Sequence, residues 1–393
     1  MINTAVKEKC SGCTACVYAC PKGCISMKRD GEGFLYPFVD TEKCISCSLC
    51  ERVCERAGSL YKESDGMPDA YAAMGKDEEE RLSSSSGGAF SQIARAIIKR
   101  GGAVFGAAFT DGLTVKHVCI ENEEDIAPLR SSKYVQSEMG DTFSSVKKLL
   151  ECGRYVLFCG TPCQVGGLLS FLGKEYPRLY CADIICHGVP SPLALEKYAE
   201  YRKEMIADKC ANKPEISRIS FRDKREGWES FSMTVGFTDG TEYSSRYDKD
   251  IYMKAFLSNK SLRPSCFECR FKTLKRPSDI TLADFWGVDS VCPDMNDKKG
   301  TSLLLVHTEK GRELLFEISP FMNINKTDTN EAVKHNRAAV HSPKRPASRD
   351  RFMRLLSVYP FDVAHKRTET PIVIKKIKGA VRRLRRLIPG RKK

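Results

Sequence analysis

The sequence predicts a multidomain protein of mixed α/β and α+β structure, with a small cysteine-rich domain ahead of two larger segments. Three observations lead to this prediction. The chain has 393 residues, which is too long for one ordinary hydrophobic core. A closely spaced cysteine pattern occurs twice within the first 60 residues. From Ser83 short apolar strands alternate with amphipathic helices, and beyond Pro214 apolar and polar residues alternate one by one.

The two cysteine runs share the spacing C-x2-C-x2-C-x3-C and begin 34 residues apart, at Cys10 and Cys44. This pattern is typical of bacterial ferredoxins with two 4Fe-4S clusters, in which the fourth cysteine of each run binds the cluster of the other run. The expected ligands of cluster one are Cys10, Cys13, Cys16 and Cys54. The expected ligands of cluster two are Cys44, Cys47, Cys50 and Cys20.

Two other interpretations of these cysteines are weaker. Zinc sites favour pairs of cysteines separated by a longer linker, not three in quick succession. A disulfide framework needs an oxidising compartment, and the opening stretch "MINTAVKEKC" has no apolar leader segment, so we expect the 19 cysteines to stay reduced. Cys54 is followed by Glu55 instead of proline, which makes that turn less rigid. Cys24 is surplus to the pattern and is expected to be a small buried apolar residue.

The segment after Ser83 predicts repeated helix and strand units. A Ser/Gly loop leads into an amphipathic helix with Phe90, Ile93, Ile97 and Ile98 on one side, and an apolar strand follows. A second unit has "FSSVKKLLECG" as a helix, "RYVLFCG" as a buried strand, "TPCQVGGLLSFLG" as a turn and helix, and "LYCADIICHG" as the next strand. This alternation predicts a mainly parallel sheet covered on both faces.

The later part of the chain predicts antiparallel strands. "FSMTVGFTDGTEYSSRY" places Phe231, Met233, Val235 and Phe237 on one face and turns at Asp239-Gly240. "DITLADF" and "TSLLLVHT" predict two further strands, so this region is expected to be α+β.

The sequence "SSSSGGAF" stands directly before a predicted helix. Free backbone N–H groups and the positive end of the helix dipole favour an anion there, such as a phosphate or pyrophosphate. A Ser-rich loop that only caps the helix is the commoner explanation of such a stretch. The Rossmann pattern G-x-G-x-x-G is absent from the sequence.

Four cysteines outside the ferredoxin-type repeat could form another site. They are Cys163, Cys186, Cys266 and Cys269. The first two follow buried strands, where ligands collect in open α/β sheets, and the last two form a C-x2-C pair. Simple packing is an equally good interpretation of Cys163 and Cys186, and Cys159 is a competing fourth ligand. His187 could tune a cluster or move a proton, although a histidine beside a turn is more often only hydrogen-bonded.

The net charge of +14 is concentrated at one end of the sequence. From Lys366 to Lys393 there are twelve Lys or Arg residues and one acid, so the rest of the chain is close to neutral and is not expected to bind nucleic acid. The stretch "TPIVIKKIKGAVRRLRRLIPGRKK" predicts a basic amphipathic helix. It could lie on an anionic membrane surface, or it could dock a partner or remain solvated.

Seven motifs together resemble the coenzyme F420 hydrogenase/dehydrogenase beta-subunit family. They are "SSSSGGAF", "SSKYVQS", "LFCGTPCQVGGL", "DIICHGVPSP", "FRDKREGW", "RPSCFECRF" and "SDITLADFWG", and the resemblance covers roughly Met1 to Thr308. It implies a dicluster ferredoxin domain, a flavin-binding α/β domain and an α+β C-terminal region. The implied domains are a ferredoxin-type domain at 1–60, a linker at 61–82, the flavin-binding part at 83–165, the C-terminal family domain at 166–325, a variable region at 326–369 and the basic tail at 370–393.

The same resemblance implies two further cofactors. FAD is expected near Ser86, Gly87, Gly88, Ser132, Lys133, Tyr134, Gly160, Thr161 and Pro162. A third 4Fe-4S cluster is expected on Cys163, Cys186, Cys266 and Cys269, in preference to Cys159. Lys133 is then expected to act on the flavin phosphate or on negative charge at the ring.

The expected function is that of an iron-sulfur flavoprotein oxidoreductase, because a flavin can convert single electrons from clusters into hydride-like chemistry. The acceptor is expected to be coenzyme F420 or another conjugated compound. The alternative is a non-catalytic electron-transfer subunit of a larger redox complex. Expected partners are a ferredoxin or a redox subunit, and the expected location is the cytoplasm, with the basic tail as a candidate contact to the inner membrane face.

Overall fold

The computed structural model describes residues 2, 6–54, 66–110, 112–207 and 214–369. The predicted amphipathic tail at 370–393 lies outside these described residues. None of the helices in the described ranges has the length and apolarity that crossing a bilayer requires.

The described residues form strands, helices and short 3-10 turns. The strands are β1 (Ile25–Arg29), β2 (Leu35–Val39), β3 (Asp69–Gly75), β4 (Ala103–Phe109), β5 (Val115–Ile120), β6 (Val156–Gly160), β7 (Leu179–Ile184), β8 (Ile216–Asp223), β9 (Ser232–Phe237), β10 (Glu242–Arg246), β11 (Ile280–Asp284), β12 (Ser302–Val306) and β13 (Met322–Thr327). The helices are α1 (Ala15–Tyr18), α2 (Leu49–Arg52), α3 (Glu78–Ser83), α4 (Ala89–Lys99), α5 (Thr142–Glu151), α6 (Pro162–Leu172), α7 (Pro192–Ala207), α8 (Ile251–Leu257), α9 (Val288–Val291), α10 (Glu309–Ile318), α11 (Thr329–Val333), α12 (Arg349–Leu356) and α13 (Phe361–Arg367). The 3-10 turns are Lys7–Lys9, Glu123–Leu129, Pro264–Glu268, Pro293–Met295, Ser319–Phe321 and Arg337–Ala339.

The N-terminal part is a small domain built on the antiparallel hairpin of β1 and β2. Each cysteine run contains a single helical turn, α1 or α2, preceded by a residue in the left-handed region, Thr14 (φ 69°) or Ser48 (φ 58°). These two residues turn the chain sharply between the second and third cysteines of each run, so that successive thiols can face a common centre.

An eight-stranded mixed sheet forms the centre of the molecule, in the order β13-β3-β12-β11-β7-β6-β4-β5. The parallel part of this sheet consists of β4, β6, β7 and β11, as the alternating helix and strand pattern predicts. The strands on both flanks are antiparallel, so the prediction of a mainly parallel sheet is only partly correct. A short loop joins β4 to β5, and a short connection permits only antiparallel pairing.

Part of the predicted linker is a sheet strand. Within residues 61–82, β3 lies between β12 and β13 and pairs with both of them. Ala70, Ala72 and Ala73 on this strand are fully buried. Alanine is depleted in strands and gives little alternation, which explains why the sequence pattern did not reveal β3. The sheet also crosses the predicted boundary at residue 165, because β6 pairs with β7.

The predicted hairpin is confirmed as β9 and β10, which form a three-stranded antiparallel sheet with β8. Its four predicted apolar residues, Phe231, Met233, Val235 and Phe237, are all buried. They pack in one core with residues from α7, α8, α12 and α13. The last helices therefore complete the core of this part of the chain.

Candidate functional site

The thiols assigned to cluster one come together at the inner side of the N-terminal domain. Burial, with repulsion from the thiols of Cys10 and Cys54, raises the pKa of the Cys16 thiol to about 12. Cys13 packs on α6, where a Cβ added to Gly167 would lie 2.7 Å from the Cβ of Cys13. This close approach joins the cysteine-rich domain to the sheet domain.

The thiols assigned to cluster two line a second cavity, together with Cys24. These residues are Cys20, Cys44, Cys47, Cys50 and Cys24. Cys24 is buried as predicted, but its Sγ lies 3.3 Å from the Sγ of Cys20. Cys47 is exposed, so this cavity lies closer to the surface than the thiols of cluster one.

The four cysteines outside the repeat line one cavity. They are Cys163, Cys186, Cys266 and Cys269, and Cys159 does not line it. Burial is the main reason that the pKa of the Cys266 thiol is raised to about 12. The nearby thiols of Cys186 and Cys269 raise it further, as expected for neighbouring thiolates. Within the described ranges no three His, Cys, Asp or Glu side chains converge to hold a single metal ion. Four thiols that line one cavity are the ligand set that a 4Fe-4S cluster takes.

Polar and basic groups surround this third thiol site. The backbone N–H of Val189 donates to the Sγ of Cys266 over 3.4 Å. The amine of Lys272 donates to the carbonyl oxygen of Cys186. His187 lines the cavity, and its Nε2 lies 2.7 Å from Oδ1 of Asn259. Burial lowers the pKa of His187, which favours the neutral ring.

The Ser/Gly loop before α4 is held close to the sheet. A Cβ added to Gly87 would lie 2.3 Å from the carbonyl oxygen of Ala73, and Gly88 adopts a positive φ of 85°. Ser86 Oγ donates to the carbonyl oxygen of Thr301 over 2.7 Å. The backbone at Gly87 therefore lies directly on β3 and β12, and a side chain there would displace it. A side chain at Gly88 would be strained by the positive φ.

The segment with Ser132, Lys133 and Tyr134 meets this loop. Ser85 Oγ accepts from the backbone N–H of Ser132 over 2.7 Å, and the two hydroxyls are 2.9 Å apart. The amine of Lys133 donates to two backbone carbonyls, and burial lowers its pKa to about 7. Tyr134 stacks on Phe256 with ring centres 4.7 Å apart. Two of the three segments predicted to bind FAD are thus in direct contact.

The third predicted FAD segment borders the third thiol site. Thr161 caps α6 in a capping box with Gln164, which fixes the turn formed by Gly160, Thr161 and Pro162. Thr161 Oγ1 lies 3.2 Å from the Sγ of Cys163. The same turn therefore contributes both to the predicted flavin site and to the thiol cavity.

Two buried basic residues on or beside β8 also contact the Ser/Gly loop. Arg222 donates to the carbonyl oxygen of Ser85 over 3.3 Å and pairs with Asp284 at 2.9 Å. The amine of Lys224 donates to the carbonyl oxygen of Ser86 over 2.9 Å and to two further backbone carbonyls. Both residues lie in the motif "FRDKREGW", but neither was predicted to belong to the site. Alternation along a strand predicts which side chains share a face, but it does not predict which other segment of the chain packs on that face.

Two family models match the chain. The model for the C terminus of the coenzyme F420 hydrogenase/dehydrogenase beta subunit matches residues 153–331, and the model "4Fe-4S dicluster domain" matches residues 9–57. All four cysteines of the third thiol site lie within the first match, and both cysteine runs lie within the second.

Two curated relatives and one solved structure are similar to parts of this chain. A subunit of the F420H2 dehydrogenase of Methanosarcina mazei is 23% identical over 226 residues, which is 55% of this chain and 60% of that protein. An uncharacterized ferredoxin of Methanocaldococcus jannaschii is 38% identical over 56 residues, which is 14% of this chain and 71% of the ferredoxin. A chain in a structure of the F420-reducing [NiFe] hydrogenase complex from Methanosarcina barkeri aligns at 16% identity with a TM-score of 0.45, covering 78% of this chain and 92% of that one. Residues 153–331 therefore match the C-terminal domain of the coenzyme F420 hydrogenase/dehydrogenase beta-subunit family, and residues 9–57 form a 4Fe-4S dicluster domain.

Proposed function

We propose that this chain is an iron-sulfur flavoprotein oxidoreductase that exchanges electrons between three 4Fe-4S clusters and FAD. The observation that carries the proposal is the third thiol cavity. It is lined by Ser11 from the first cysteine run and by Pro162 from a predicted flavin segment, together with the four thiols. This position between the two predicted cofactor regions is where an electron relay needs an intermediate cluster.

The arrangement supports an order for the relay. Cluster two lies at the exposed end of the N-terminal domain, since Cys47 is exposed. Cluster one lies at the inner end, where Cys13 packs on α6. The third cluster then connects cluster one with the flavin segments through Cys163. Electrons are expected to enter or leave the protein at cluster two.

The residues of the loop region have defined roles in this proposal. Gly87 and Gly88 would let the FAD pyrophosphate approach the backbone at the start of α4. Lys133 would supply a positive charge beside it when protonated. When bound, FAD supplies the conversion between single electrons and hydride-like transfer. The acceptor is proposed to be a conjugated organic molecule such as coenzyme F420, as in the names of the related proteins.

Anaerobic purification with iron, sulfide and flavin analysis tests the proposal. We expect about twelve iron per chain, from three four-iron clusters, and one FAD. The variant Cys269→Ser should retain about eight iron, because only the third cluster loses a ligand. Cys152→Ser, which replaces an exposed cysteine outside all three sites, is the matched control and should retain the full amount. Zinc in place of iron, or an equal iron content in the two variants, would contradict the proposal.

A second candidate function is an electron-transfer subunit that passes charge to a partner enzyme. The name of the Methanosarcina mazei relative, a subunit of F420H2 dehydrogenase, favours it. Steady-state reduction of a small organic acceptor by the isolated chain separates the two candidates. Turnover without a partner supports the oxidoreductase, whereas cluster reduction without turnover supports the relay subunit.

A further inference from the structure

A buried arginine lies between cluster one and the third thiol site. Arg263 is fully buried and lines the third thiol cavity. Its Nε donates to the carbonyl oxygen of Cys10 over 2.9 Å, and its Nη2 lies 3.7 Å from the Sγ of Cys10. One guanidinium therefore contacts a ligand of cluster one and borders the third thiol site.

The remaining contacts hold this guanidinium rigidly. Nη2 also donates to the carbonyl oxygen of Leu35 over 2.9 Å, and Nη1 donates to Oε1 of Gln136 over 2.9 Å. The guanidinium carbon lies 4.2 Å from the ring centre of Tyr36. A Cβ added to Gly12 would lie 3.0 Å from the guanidinium carbon, so the first cysteine loop closes directly over the group.

Within the described part of the chain no carboxylate accepts a hydrogen bond from Arg263, whose N–H groups donate to neutral oxygens and one sulfur. Burying a cation without a nearby opposite charge is unfavourable. Four thiolate ligands give a 4Fe-4S cluster a net negative charge, so cluster one, when bound, would provide a counter-charge for Arg263. Reduction of cluster one would add one electron. Arg263 would not take up a proton in response, because its guanidinium is already protonated.

We propose that Arg263 raises the reduction potential of cluster one, through its fixed positive charge and its N–H···S hydrogen bond to Cys10. Net charge and hydrogen bonds to sulfur are the main influences of a protein on cluster potentials. The proposal rests on the proposed occupancy of the cysteine runs by clusters. It assigns cluster one, beside the third cluster, a higher potential than it would have in an isolated ferredoxin domain. Arg263 would thus adjust the potential of cluster one without being a ligand of the cluster.

The test is a dithionite titration of the anaerobic full-length holoprotein, followed by paramagnetic resonance of the reduced clusters. In Arg263→Gln one of the two ferredoxin-type signals should become harder to reduce, with about a tenfold change in its ratio of oxidised to reduced form, or about 59 mV for one electron. The other ferredoxin-type signal should not move. Arg263→Lys should shift the same signal less, because lysine keeps the charge but cannot reproduce the planar fork.

Gln136→Leu is the matched control for loosened packing. It removes the contact with Arg263 and a 3.2 Å hydrogen bond to the carbonyl oxygen of Ser11, but it leaves the arginine in place. Its potentials should match those of the unmodified protein. An equal shift in Gln136→Leu, or unchanged potentials in Arg263→Gln at full iron content, would overturn the proposal. If Arg263→Gln does not retain its clusters, unchanged potentials in Arg263→Lys overturn it instead.

Iron and flavin analysis of the same samples separates this inference from the proposed function. A protein with about eight iron and no FAD would end the three-cluster flavoprotein proposal, yet the shift at cluster one would remain measurable. A protein with about twelve iron and one FAD, but without the shift, would end only the role of Arg263.

Discussion

Replacing Gly87 by alanine tests whether the Ser/Gly loop lies on the sheet as described. The new Cβ would stand 2.3 Å from the carbonyl oxygen of Ala73 and 2.7 Å from the backbone nitrogen of Ser302. Both atoms belong to the backbone of central strands, so no side-chain rotation can relieve the overlap. The loop itself must move away from β3 and β12.

The cost of this movement follows from the contacts that it breaks. Overpacking of this kind destabilises by about 1–3 kcal/mol. Moving the loop also weakens the hydrogen bond of Ser86 to Thr301 and that of Lys224 to Ser86, each contributing about 1 kcal/mol. We expect a total loss near 3 kcal/mol. For a domain of this size the melting temperature should fall by roughly 6–12 °C.

Thermal unfolding and flavin content, measured on the same anaerobic preparation, check this expectation. Gly31→Ala is the matched control, because a Cβ at Gly31 meets no atom within 4 Å and the residue has no positive φ. Gly87→Ala should unfold earlier than this control and should retain less FAD. If the two variants have equal melting temperatures, the close approach of the loop to the sheet is wrong.

Three further predictions concern other parts of the molecule. Burial lowers the pKa of the Lys133 amine to about 7, so the affinity for the proposed FAD should fall as pH rises from 6 to 9, by up to about tenfold per pH unit. Lys133→Met should abolish this slope in fluorescence titrations. Cys20→Ala should lower the iron content, whereas Cys24→Ala should leave it unchanged; a loss of iron only in Cys24→Ala would show that the ligand has been assigned to the wrong thiol. Asp250→Asn should destabilise the protein by about 3–5 kcal/mol in denaturant unfolding, because the buried guanidinium of Arg202, 3.0 Å away, loses its counter-charge; a change below about 1 kcal/mol would contradict the buried pair.

Strongly periodic parts of the fold could be predicted from the sequence. The apolar spacing of Ile93 and Ile97 defines α4, and both side chains are fully buried. Alternation around Asp239-Gly240 likewise gives the hairpin of β9 and β10. In these cases the local pattern and the tertiary environment favour the same structure. The sequence of β3 has no such pattern. This strand forms because β12 and β13 pair with it on either side.

The candidate site was less accessible to local reasoning. Spacing alone indicated the ligands of clusters one and two, since those cysteines are close in sequence. The choice between Cys159 and Cys186 depended on the family resemblance, because the direction of a side chain at the end of a strand is set by tertiary packing. Arg263 gave no signal, since its contact with Cys10 joins residues 253 positions apart. Contacts of that range depend on how the domains dock.

The placement of β3 also bears on the order in which the protein is assembled during synthesis. This strand leads into the Ser/Gly loop, but its partners on the sheet, β12 and β13, end at Val306 and Thr327. A ribosome exposes the cysteine-rich domain long before those partners, and pairing between distant segments is slow. We therefore expect the cysteine-rich domain to be ready for iron early on the nascent chain, whereas the proposed flavin site is complete only after β13 has been synthesised.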